Sequence, residues 1–165
     1  MRVSADRVIG QPGQGWAALA PALHAARTAL ALQAVGGAGQ ALGMAVEYAK
    51  VRRQFDKPIG SFQAIKHMCA DMLVAYETTR SGAYYAAWSV GTAAPDAAVA
   101  AAMAKALCTE MFCFVAAEAI QVHGGVGFTW EHDLHFYFKR AKYLEFALGT
   151  PAQCRDAVAA ARFRA

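Results

Sequence analysis

Residues 119–133 read Ala119-Ile120-Gln121-Val122-His123-Gly124-Gly125-Val126-Gly127-Phe128-Thr129-Trp130-Glu131-His132-Asp133. An Ala-rich helical pattern runs into this stretch and stops at paired glycines, the residues that most readily end a helix. A short loop with a further glycine and two aromatics follows. Asp133 then opens a new apolar-periodic segment in the place of a helix cap. Helix end, exposed turn and helix start crowd together with no strand between them. Such a turn offers free backbone N–H groups, a place where a ligand can be held.

The segments on either side repeat this pattern. Before the turn, a helix is predicted over about 97–122, with Met103, Leu107, Met111, Phe114, Val115 and Ile120 as its apolar stripe. After it, Leu134, Phe138, Ala141 and Leu144 share one face of a helix begun at Asp133. Gly149-Thr150-Pro151 ends that helix and starts a short fifth one, with Thr150 as N-cap and Pro151 at the first helical position. Further back, Trp16–Arg53 is helical although Gly36, Gly37, Gly39 and Gly43 lie inside it, each costing about 1 kcal/mol relative to Ala. No turn signature flanks those glycines, so they predict close backbone packing. Asp56–Gly60 forms a connection, Ser61 is the expected next N-cap, and Phe62, Ile65, Cys69, Met72, Leu73, Tyr76, Tyr84 and Trp88 recur at helical spacing. Residues 1–15 are an irregular lead-in, and 16–165 form one all-α domain, an up-down helical bundle of three long helices and one or two shorter ones.

Composition agrees. Apolar residues make up 57% and charged ones 17%, with a net charge of +4 spread thinly over the helices. Nothing there resembles the basic footprint of a nucleic-acid binder. Glu47, Lys50, Glu77, Lys105, Glu110 and Glu118 interrupt the apolar runs, which argues against a bilayer span. The first residues lack a signal-peptide core. Cys69, Cys108, Cys113 and Cys154 have no CxxC spacing, so reduced buried thiols in a cytoplasmic protein are expected. Few charges among many apolar residues imply surfaces covered by other subunits or by further domains.

Candidate chemistry is sparse. The glycine turn is neither a P-loop nor a dinucleotide fingerprint, and by itself it reads first as a tight helix end. With Gln121 one turn earlier, it could grip a ligand. Arg52-Arg53-Gln54-Phe55 sits at a helix C-terminus, where arginines complement the dipole or form a guanidinium fork for a phosphate. His123, His132 and His135 lie close in sequence, but no HExxH or nearby cysteine accompanies them, and no metal is expected. Glu118, Asp133 and Glu145 read as surface or capping carboxylates, and no nucleophile–base signature is present.

Two stretches at their separation resemble a known family. Tyr48-Ala49-Lys50-Val51-Arg52-Arg53-Gln54-Phe55-Asp56-Lys57-Pro58-Ile59-Gly60-Ser61-Phe62-Gln63 is similar to the R-x-Q-F-G-x-P-I-x-x-F-Q signature of the flavin-dependent acyl-CoA dehydrogenases. Ala119–Phe128 is similar to their A-x-Q-x-x-G-G-x-G-[FY] signature. The likeness, with Arg140-Ala141-Lys142, covers nearly the whole chain as that family's C-terminal helical domain. It implies that residues 1–15 leave a missing β-domain and that Met1 is an artificial or alternative start. It implies FAD as cofactor, with Arg52 on the pyrophosphate, Gln54 and Phe55 beside it, and Gln121, Gly124 and Gly125 at the adenosine end. The flavin would be seated on a neighbouring subunit of a homo- or hetero-oligomer. The family's reaction, α,β-dehydrogenation of an acyl-CoA, uses a glutamate to take the α-proton.

Here the resemblance fails at one point. Leu148 stands at the glutamate position of the family's Tyr-Glu-Gly-Thr, and Ala26 stands at the alternative one used by some members, followed by Arg27. Neither can take a proton. Three readings follow: a subunit without a base that serves a base-carrying partner, a homo-oligomeric enzyme with a displaced base at Glu145 or in the missing domains, or a non-enzymatic oligomerisation module. The isolated chain is expected to be inactive and to retain little FAD.

Overall fold

The computed structural model describes residues 4–163, so the reading of Met1 lies outside it. Five helices follow one another: α1 (Gly15–Val51), α2 (Gln63–Gly91), α3 (Ala97–His123), α4 (Leu134–Phe146) and α5 (Pro151–Phe163). The all-α expectation holds, with one small addition. Arg53–Gln54 (β1) and Lys57–Pro58 (β2) form a two-stranded antiparallel ladder, Arg53 opposite Pro58 and Gln54 opposite Lys57.

The core is built from small side chains. Ala31, Ala34, Ala38, Ala41 and Ala45 repeat at intervals of three and four along α1, and all are fully buried. That stripe lets α1 approach α3 closely, and α3 also packs against α2, α4 and α5. A helix touched on so many sides buries residues nearly all round, as α3 does from Ala100 to His123. The continuous α1 runs through its four glycines. Gly37 lies under Phe112 and Gly39 under Tyr76, while Gly36 and Gly43 face open space, so close packing accounts for two of the four.

Several sequence expectations change. Met103, Leu107 and Phe114 on α3, and Leu73, Tyr84 and Trp88 on α2, are exposed, because Ala, Met72, Met111, Phe112 and Val115 fill the interior instead. Ser61 does not cap α2. Its hydroxyl donates to the Pro58 carbonyl at 2.7 Å within a 3-10 turn, and Phe62 takes the cap position. Asp133 precedes α4 without a side-chain cap bond; the Leu134 N–H donates to His132 Nδ1 at 3.3 Å instead. Contrary to the charge-interruption argument, α1 and the Ala97–Phe128 stretch are long and apolar enough to cross a membrane by length and composition. The second of these is mostly enclosed by the other helices. Thr150 behaves as read: its N–H donates to Gln153 Oε1 (2.9 Å) and its Oγ1 accepts from the Gln153 N–H (3.3 Å), a reciprocal cap for α5.

Candidate functional site

At one end of the bundle the hairpin after α1 and the glycine turn after α3 face each other across a cleft of about 710 Å³. Arg52, Gln54 and Phe55 line one side; Gly124, Gly125 and Val126 line the other; Tyr48 and His123 lie between. The two signature stretches, distant in sequence, therefore meet. Gln121 does not join them: it is exposed on α3 and lies outside the cleft lining.

The hairpin wall is set by backbone. Arg52 leaves the helix in an extended conformation, its N–H bonded to the Tyr48 carbonyl and its carbonyl accepting from the Ile59 N–H at 2.8 Å. Phe55 and Asp56, the two loop residues, have φ of +50° and +60°. Asp56 occupies the place where the family signature has glycine, and that conformation explains the preference. The loop leaves Phe55 86% exposed, its ring edge-on to Phe62 at 6.1 Å.

The opposite wall uses its glycines differently. Gly124 turns the chain with φ +63°. A Cβ on Gly127 would lie 2.9 Å from the Ile120 carbonyl oxygen, so that glycine serves packing. At Gly125 neither reason applies, for φ is ordinary and nothing lies within 4 Å of where a Cβ would be. A bare backbone facing an open cleft suits a ligand that comes close to the peptide.

Sequence reasoning did not place Tyr48 and His123 in this site. Their rings stack at 4.2 Å with planes 23° apart, and His132 lies 4.5 Å from His123. The signal was available: Tyr48 is one turn before Arg52, and His123 immediately precedes Gly124. His123 Nδ1 is 2.8 Å from the Ala119 carbonyl, and burial followed by the nearby His132 lowers the imidazole pKa despite that bond. His135 turns away to Trp130 and Phe136. Among the described residues no three His, Cys, Asp or Glu side chains gather as metal ligands.

Leu148 lies elsewhere, at the corner between α4 and α5, with φ +57° and 43% of its surface exposed. Arg27 Nε donates to its carbonyl at 2.9 Å, which brings the Ala26–Arg27 turn of α1 to the same corner. Glu145 is engaged by its neighbours: Lys142 Nζ is 2.9 Å and Cys113 Sγ 3.6 Å from its Oε2. Burial first, and Glu145 second, push the Cys113 thiol up to about 11.

Residues 13–162 match the family model described as acyl-CoA dehydrogenase, C-terminal domain. The chain is 39% identical over 124 residues to acyl-CoA dehydrogenase IpdE2 of Mycolicibacterium smegmatis, covering 75% of this chain and 38% of that protein. It is 47% identical over 128 residues to acyl-CoA dehydrogenase FadE34 of Mycobacterium tuberculosis, covering 75% of this chain and 18% of that protein. The solved structure of butyryl-CoA dehydrogenase from Megasphaera elsdenii superposes with a TM-score of 0.90 at 34% identity, over 96% of this chain and 41% of that one. The chain thus spans less than half the length of these relatives.

Proposed function

The chain belongs to the acyl-CoA dehydrogenase family, as its C-terminal domain, and from that premise we propose that it lends flavin contacts to an enzyme whose proton-abstracting base stands on a partner subunit. The observation that carries this is Leu148 at the family's glutamate position, on a corner whose backbone Arg27 still holds. A leucine has no proton to exchange, and no environment changes that. Glu145, tied to Lys142 and Cys113, is the poorer candidate for the lost role.

The cleft supports the flavin part of the reading. FAD, when bound, would take the hydride removed from the acyl β-carbon. The chain's own share is to bind and orient. The exposed Arg52 guanidinium offers a fork to a diphosphate, and the Gly124–Gly125 backbone leaves room for close approach to N–H groups. Phe55 and Gln54 would flank the same ligand. Gln121, outside the cleft, would touch only a part that runs past the end of α3. The exposed apolar residues of α2 and α3 offer a face for other subunits.

Co-purification with a glutamate-bearing homologue encoded beside this chain tests the proposal. Expected is a stable complex that carries FAD and dehydrogenates an acyl-CoA thioester, with no turnover from this chain alone. Turnover by this chain without the partner would overturn it.

A further inference from the structure

Lys105 stands in the middle of α3, and its side chain is the largest fully enclosed one among the described residues, at 0% exposure. No carboxylate forms an ion pair with it among those residues. Enclosing an ammonium group without a counter-ion is costly, and desolvation accordingly lowers its pKa. A methionine would fill the space without that cost. What the lysine adds is two hydrogen bonds. Its Nζ donates to the Glu145 carbonyl at 3.3 Å and to the Gly149 carbonyl at 3.1 Å.

Those acceptors bracket residue 148, whose own carbonyl goes to Arg27. Two cations rooted on α3 and α1 thus hold the corner through backbone alone. Between them the chain passes through φ +57° at Leu148 and +108° at Gly149. Glycine adopts such a conformation freely, whereas leucine rarely does. The corner therefore keeps a shape that its own side chain disfavours.

We propose that Lys105 is a positioning residue for the side chain at 148, fixing the backbone on both sides of it whatever residue stands there. This deepens the reading of 148 as the family's base position and rests on it. By this account the corner still presents residue 148 as it would present an acid, although Leu148 supplies none.

The test compares the full chain with Lys105→Met, Leu148→Gly and the double variant, by NMR. The HN–Hα coupling and 13C shifts of Leu148 report its positive φ, which a general loss of stability would not move while the chain stays folded. In Lys105→Met, Leu148 is expected to leave the left-handed region. Amide exchange at Leu148, Gly149 and Thr150 is expected to rise at least about ten-fold while mid-helix amides of α1 stay unchanged. In the Leu148→Gly background, which removes the strain, the same substitution is expected to raise that exchange less. If Lys105→Met does not fold, Lys105→Gln carries the same comparison. An unchanged Leu148 signature, or exchange that rises equally in both backgrounds, would overturn the proposal. These readouts need no flavin or partner, so they stand apart from the co-purification experiment: a chain found active alone would sink the base-less reading and leave the corner measurement intact.

Discussion

Gly37 on α1 and Phe112 on α3 share one space: a Cβ on Gly37 would run into the tip of the Phe112 ring at Cζ. Phe112 is 1% exposed, so its ring tip would have to shift to make room. Gly37→Ala is therefore expected to destabilise the chain by about 1–3 kcal/mol, the usual cost of overpacking. Gly43, with nothing within 4 Å of its would-be Cβ, is the control. Gly43→Ala is expected to gain up to about 1 kcal/mol from helix propensity. Urea unfolding of both variants reads the opposite signs, and a matching sign would refute the packing account.

Asp56 pays backbone strain at φ +60° in the hairpin loop. Asp56→Gly is expected to stabilise the chain by up to about 1 kcal/mol, since glycine adopts that conformation without a Cβ clash. Thermal unfolding measures the gain, and a lower midpoint would count against the assignment.

His123 sets an acid limit. Its folded-state pKa lies below the ordinary 6.5, with burial as the first cause. The unfolded chain therefore takes up a proton at higher pH than the folded one. The neutral ring's contribution is complete above about pH 6.5 and is lost as pH falls through the window below it. His24, lowered by burial and by Arg27, acts in the same direction. The melting temperature is expected to fall between pH 7 and pH 5, and His123→Phe to flatten that slope. An equal slope in the variant would show that the imidazole is not responsible.

Arg52 separates binding from folding. Its backbone bonds to Tyr48 and Ile59 survive a side-chain change. Arg52→Met should leave the melting temperature of the isolated chain unchanged. In the assembled enzyme it should weaken FAD retention at least about ten-fold, as expected for a charge-assisted contact to a diphosphate. Equilibrium dialysis or flavin fluorescence decides the second point, and retention at the original level would remove Arg52 from the flavin site.

How much of this was legible in the sequence depends on the kind of signal. The glycine turn, the Thr150 cap and the extent of α3 are readable because each rests on local backbone chemistry. Met103, Leu107 and Trp88 face outward because size alone does not decide burial here. In a bundle cored largely by alanine, many large residues are left outside. Ser61 and Asp133 suit helix caps by residue type alone; Phe62 takes the cap position of α2, and Asp133 keeps its position while the adjacent His132 accepts the bond. The meeting of Arg52, Phe55 and Gly125 in one cleft followed from the family resemblance rather than from either motif alone.

Only β1, Arg53–Gln54, separates Arg52 from Phe55, and both strands of that ladder are two residues long. So small a unit has few independent ways to move. In the proposed assembly, a partner that packs on the hairpin narrows the freedom of Arg52, and a flavin that engages Arg52 narrows that of the hairpin. Two binding events that share such a unit would be thermodynamically linked, and linkage is reciprocal: the factor by which a partner tightens flavin binding equals the factor by which flavin tightens the partner. Subunit association should then depend on flavin concentration, and cofactor supply would regulate how much of this chain is assembled.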